Sequence, residues 1–127
     1  MTNDTIASDV FEHLQKATAG EPAELAALYR DYLGEARQAL AQLRNALAQK
    51  DSVHLRERAH YLRGSSLVLG ATVIARCCAH LEQMDGISDV RSARRLLNQT
   101  SAALNATEAE LTRRLGPAAV PVEGSAA

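Results

Sequence analysis

The chain has 127 residues, 46% of them apolar and only 3% aromatic, with no Trp; this is enough chain for one domain with a core of Leu, Ala, Val and Ile. Fourteen Lys and Arg are interspersed with fifteen Asp and Glu for a formal net charge of −1, which argues against nucleic-acid binding and its usual basic excess or stripe. No apolar run approaches the ~20 residues of a membrane span, so no membrane association is expected.

Leu, Ala, Glu, Gln and Arg dominate, and all are good helix formers. Period-two runs of Val, Ile and Thr are missing, so strands are not expected. The first helix is expected from about Thr5 to Ala17, with Ile6, Val10 and Leu14 at helical spacing. The Gly20-Glu21-Pro22 break ends it, and Pro22 suits the first turn of the next helix. That helix runs to about Gln49, with an apolar stripe of Leu25, Leu28, Tyr32, Ala36, Leu40, Leu43 and Leu47.

Asp51 or Ser52 can cap a third helix, which runs to about Leu69, and Gly70 offers the left-handed stop. The fourth helix is expected from Thr72 to Met84, with Ile74, Cys77, Leu81 and Met84 inward, before a turn at Asp85-Gly86. The fifth is expected from Asp89 to Leu115, with Leu97, Leu104, Leu111 and Leu115 as its seam. The Pro/Gly/Ala-rich tail, residues 116–127, is expected to be disordered. Short connections make neighbouring helices antiparallel. The expected fold is therefore an all-α, up-down-up-down four-helix bundle over residues 1–115, with the short first helix laid across one end.

The third helix carries Ala59-His-Tyr-Leu-Arg-Gly-Ser-Ser66, and its glycine costs a helix interior about 1 kcal/mol relative to Ala. Advancing about 100° per residue, Leu55, Ala59, Leu62, Ser66 and Leu69 gather within roughly 80° and form the core face. His60 lies roughly 140° from the centre of that face. It projects outward on a stripe with Val53, Arg56, Arg63, Gly64 and Leu67. A lone exposed His is ordinarily a plain surface residue, and a mid-helix Gly is often a packing contact. Gly64, however, points away from the core, so it serves the approach of an outside partner to the His60 ring.

The run Ala59 to Ala71, AHYLRGSSLVLGA, resembles the signature of histidine-containing phosphotransfer (HPt) domains, roughly A-H-x-L-K-G-S-S-x-x-L-G-A. The likeness continues into Cys77 and Leu81-Glu82, extends upstream over the Leu25–Leu47 helix and Asp51, and covers roughly Asp4 to Leu115. The resemblance implies a four-helix bundle that carries a phosphoryl group on one exposed histidine and passes it between receiver-domain aspartates. The phosphoacceptor maps to His60. Arg63 stands where the family more often has Lys; either cation neutralises a phosphoryl group, Arg through a planar fork and Lys as a point charge. Gly64 maps to the glycine that clears space for the receiver, and Ser65 to the serine after it.

Phosphoryl acceptance needs a ring nitrogen with a free lone pair, and a carboxylate on the other N–H fixes the tautomer. Glu82, on the neighbouring antiparallel helix, is the candidate. No P-loop, glycine-rich nucleotide loop or acidic metal cluster is present in the sequence. The chain is thus expected to be a phosphocarrier without kinase activity or intrinsic cofactor, with Mg²⁺ on the receiver. The expected partners are receiver domains of hybrid sensor kinases and response regulators, and the expected state is a monomer. The adjacent Cys77 and Cys78 make a poor disulfide framework, and the N-terminus lacks the marks of a secretory signal, so a cytoplasmic setting is expected. An adaptor that binds a partner through the same face without phosphotransfer is the competing reading. A small metal-binding bundle using Cys77 and His80 is a third, with Cys77 better explained as a buried small hydrophobe. Phe11, Val10, Leu14, Val53 and Leu67 are candidates for an apolar rim near His60.

Overall fold

The computed structural model describes residues 5–84, 86, 87 and 89–121. Five α-helices occupy them: α1 Ser8–Ala17, α2 Pro22–Ala48, α3 Ser52–Val68, α4 Thr72–Glu82 and α5 Val90–Leu115, followed by a 3₁₀ turn at Pro117–Ala119. The helix ends follow local chemistry. Pro22 opens α2, where a missing N–H costs nothing. Asp51 caps α3 by accepting from the His54 N–H at 3.1 Å, and Asp89 caps α5 by accepting from the Ser92 N–H at 3.1 Å. Asp85, in the expected turn after α4, lies outside the described residues.

Helices α2 to α5 form an antiparallel four-helix bundle in which α2 and α4 each touch both α3 and α5. Helix α5 therefore lies diagonally across from α3. The core is aliphatic, with Leu33, Leu43, Leu55, Leu62, Ile74, Leu81, Leu97, Leu104 and Leu111 all buried. Helix α1 closes the end where α2 begins and where α3 and α5 finish. Phe11 stacks on Tyr29 with ring centroids 5.9 Å apart, and the Arg114 guanidinium lies over the Phe11 ring. Gly70 makes the neighbouring crossing possible. Its φ is +78°, and a Cβ there would lie 3.0 Å from Val10 Cβ, while its carbonyl accepts from the Ala7 N–H at 2.8 Å.

Two buried tyrosines fix α3 against α2. The Tyr29 hydroxyl donates to the Leu69 carbonyl at 2.9 Å, and the Tyr32 hydroxyl shares a 2.6 Å hydrogen bond with Ser66 Oγ. Burial pushes the Tyr29 hydroxyl up to about 12 and raises that of Tyr32 further, so both stay protonated.

Several sequence expectations are corrected. Leu28 is 38% exposed, and Tyr29 takes the inward position beside it. On α4 it is Cys78, not Cys77, that is fully buried, and Met84 is only partly covered beyond the helix end. Phe11 belongs to the core rather than to a rim near His60. The expected disorder from Gly116 is also wrong for the first part of the tail. The Pro117–Ala119 turn packs on α2 and α5, and Ala119 is fully buried, because the turn folds back onto the bundle beside both helices. Residues 122–127 lie outside the described residues.

The Tyr32–Ser66 pair sets a stability test. Tyr32→Phe leaves the Ser66 hydroxyl buried without its partner, and a loss of about 1–3 kcal/mol is expected from urea unfolding. Adding Ser66→Ala removes the orphaned group, so the double variant should lose less than the sum of the single losses.

Candidate functional site

Halfway along α3 the side chains divide between two environments. Ala59, Leu62 and Ser66 are buried, whereas His60, Tyr61 and Gly64 are exposed. The phase set by the tyrosines leaves the His60 side chain 69% exposed and turns it towards the end of α4. There its Nδ1 lies 2.6 Å from Glu82 Oε2. Arg63, one turn further along α3, donates through Nε to the other carboxylate oxygen of Glu82, and its Nη2 lies 3.4 Å from His60 Nδ1. One carboxylate from α4 thus holds two side chains of α3.

The tautomer follows from this geometry. Burial works to raise the Glu82 pKa, but the hydrogen bonds from Arg63 and His60 outweigh it and hold the carboxyl below its usual range. An ionised carboxylate only accepts hydrogen bonds, so the proton between it and the imidazole resides on Nδ1. In the neutral ring Nε2 then carries no hydrogen, and its lone pair is the ring's nucleophile. With Nδ1 acting as donor, the neighbouring Arg63 Nη2 contributes as a charge rather than as a hydrogen bond to that atom.

Sequence and backbone comparisons agree on what this bundle is. The Hpt domain family model matches residues 27–114, more than half of the chain. The chain belongs to the Hpt domain family. Among solved structures, histidine-containing phosphotransfer protein B (HptB) from Pseudomonas aeruginosa PAO1 superposes with a TM-score of 0.79 at 22% sequence identity, covering 89% of this chain and 96% of that one. The HPT domain from the Hpt sensor hybrid histidine kinase from Shewanella superposes with a TM-score of 0.60 at 17% identity, covering 81% of this chain and 92% of that one. No curated protein matches the sequence. The family places the chain among histidine phosphotransfer domains of phosphorelay signalling.

Within this Hpt domain, the structure brings together His60, Arg63 and Glu82 and leaves Ser65 apart. Ser65 Oγ donates to the Leu62 carbonyl at 3.2 Å, a bond within its own helix. Arg63, expected from the resemblance to neutralise a phosphoryl group, is paired with Glu82. The signal that would have shown this is the opposite charge facing it across the α3–α4 interface. A Cβ on Gly64 would meet nothing within 4 Å, and the same is true of Gly34 on α2, so open space alone selects neither. What distinguishes Gly64 is its place one turn from His60. Val53, Leu67 and Val68 remain exposed on α3 at 61%, 51% and 68%. Cys77 is half-buried and burial raises its thiol pKa, while burial pushes that of Cys78 up to about 12. Among the described residues, no group of three or more His, Cys, Asp or Glu is placed to hold a metal ion.

The Glu82 pair fixes the sign of a pH effect. Because the carboxyl is held below its ordinary value of 4.5, its contribution to stability is complete above that value and is lost as pH falls through the lowered native one. Urea unfolding should therefore separate wild type from Glu82→Gln by about 1 kcal/mol or less near neutrality, and the gap should close in acid. In nitrogen NMR of the imidazole, wild type should show Nδ1–H, while Glu82→Ala should populate the Nε2–H form.

Proposed function

We propose that this Hpt domain takes a phosphoryl group onto His60 Nε2 from the aspartyl phosphate of one receiver domain and delivers it to the aspartate of another. The observation that carries this reading is the Glu82 contact at Nδ1 beneath an exposed ring, because it leaves Nε2 unprotonated and accessible. In the forward step Nε2 attacks phosphorus, the N–P bond forms and the aspartyl O–P bond breaks. The aspartate departs as a carboxylate. Nδ1 keeps its proton, so the ring becomes positively charged, and the Glu82 carboxylate lies against that charge. The return step reverses each change.

Arg63 serves two ends in this scheme. It steadies Glu82 through Nε, and its Nη2 brings positive charge beside Nδ1, on the side of the ring away from Nε2. Gly64 keeps side-chain atoms out of the path of the approaching receiver, and the exposed Val53 and Leu67 offer it apolar contact along α3. ATP is consumed elsewhere in the relay, and Mg²⁺ belongs to the receiver. The working unit is a monomer, and its two free cysteines suit a reducing cytoplasm.

Incubation with a phosphorylated receiver should give an acid-labile, alkali-stable label on wild type and none on His60→Gln; label retained by that variant would remove His60 from the role. Gly64→Gln should keep wild-type stability, since exposed substitutions usually shift it by no more than about 0.5 kcal/mol. It should nevertheless slow receiver transfer, and an unchanged rate would count against close approach.

A further inference from the structure

The charge of the bundle is unevenly placed. Residues 36–50, 72–81 and 90–107 contain no Asp or Glu, although acids and bases nearly balance over the whole chain. These stretches meet around α5, on the side of the bundle diagonal to α3. Arg37, Arg63, Arg113 and Arg114 each sit on a carboxylate. By contrast, Arg44, Lys50, Arg76, Arg94 and Arg95 are exposed and, among the described residues, have no carboxylate within ion-pair distance. Among the described residues, Arg91 interacts with the Asp89 carboxylate, which is also engaged in capping Ser92.

These cations border grooves with partly apolar floors. A groove of about 350 Å³ between α2 and α5 is lined by Arg44, Lys50 and Arg94 over Leu47, Val90 and Leu97. It shares Arg94 and Asn98 with a shallower trough of about 460 Å³ along α5, where Arg91 and Arg95 stand above Ala102. Arg44 reaches across the first groove to Asn98 at 3.3 Å, so α2 and α5 present one continuous surface. A solvated arginine face would be expected to interleave with acids, as it does elsewhere on this bundle. Clustered like charges repel one another, and arginine beside apolar area is the composition of protein interfaces. The four Phe and Tyr residues, Phe11, Tyr29, Tyr32 and Tyr61, all lie outside these stretches, so the surface has no platform for stacking bases of a single-stranded nucleic acid.

We propose that the α5 face, centred on Arg91, Arg94 and Arg95 with Arg44 and Lys50 beside them, docks an acidic amphipathic segment of a partner protein. Carboxylates of the segment pair with the arginines while its apolar side chains lie along half-buried Val90 and the aliphatic stems of Arg44, Lys50 and Arg94. Because α5 is diagonal to α3, a segment bound there leaves His60 open to a receiver. The same protein can then be held by one partner and phosphorylated by another.

Fluorescence anisotropy on the full chain tests this. The probe is a labelled synthetic amphipathic peptide with glutamates on one face and leucines on the other. Two comparison probes are its Glu→Gln counterpart and a single-stranded oligodeoxynucleotide. Saturable binding of the acidic peptide is expected, with much weaker binding of the other two. The triple variant Arg91→Glu, Arg94→Glu, Arg95→Glu should weaken it at least about tenfold, the scale of losing charged contacts across an interface, while His60→Gln should leave it unchanged. Circular dichroism checks the fold of the triple variant, and Arg44→Gln with Arg94→Gln is the milder replacement should the triple variant fail to fold. Failure of the acidic peptide to saturate, equal binding by folded charge variants, loss of binding in His60→Gln, or tighter binding of the oligonucleotide would each overturn the proposal. None of these results depends on whether His60 carries phosphate.

Discussion

A rotation of α3 by one residue would swing every side chain on it by about 100°, carrying His60 away from Glu82 and Ser66 out of the core. The buried hydrogen bond between Tyr32 and Ser66, with that from Tyr29 to the Leu69 carbonyl, opposes this rotation. An apolar contact between smooth aliphatic surfaces tolerates sliding. A buried hydroxyl pair does not, because a displaced partner leaves an unsatisfied polar group in a low-dielectric interior. The two tyrosines sit on α2, yet they set the angle at which α3 presents its histidine. Gly70 completes the constraint at the end of α3, where its left-handed turn receives α1 and closes the bundle over Tyr29.

Much of this was legible in the residues alone. Asp51, Gly70 and Pro22 mark helix ends through backbone chemistry that acts within a few residues, so sequence reveals it directly. Periodicity placed Ala59, Leu62 and Ser66 inward and His60 outward. It served less well where two adjacent residues compete for one inward direction. Between Leu28 and Tyr29, or Cys77 and Cys78, the helix phase differs by only about 100°, and the choice falls to the packing of the neighbouring helices. The Tyr hydroxyl, which needs a partner when buried, finds one at Leu69, a contact that no local pattern displays. Ala119 was hidden for a similar reason, since its burial depends on the helices α2 and α5 that its turn meets rather than on its own sequence surroundings.

At the site, the sequence identified the three side chains but not how they share their charges. Arg63 reads as a cation waiting for phosphate. In the folded chain it and His60 converge on a single carboxylate. That convergence is a property of two helices meeting at one height, and it exists only once the α3–α4 turn has set their register.

Glu82 is also the last residue of α4, where the backbone already concentrates partial negative charge. A carboxylate at that end is electrostatically unfavourable, and the two donors from α3 compensate it. In the proposed carrier the same negative helix end would act oppositely on the two halves of the phosphorylated side chain, drawing in the cationic ring and repelling the dianionic phosphoryl. Attraction for the ring would stabilise the phosphorylated state and repulsion of the phosphoryl would destabilise it, so the two would offset one another in the transfer potential. A carrier built this way would leave to the next acceptor the task of supplying cations to the phosphoryl group.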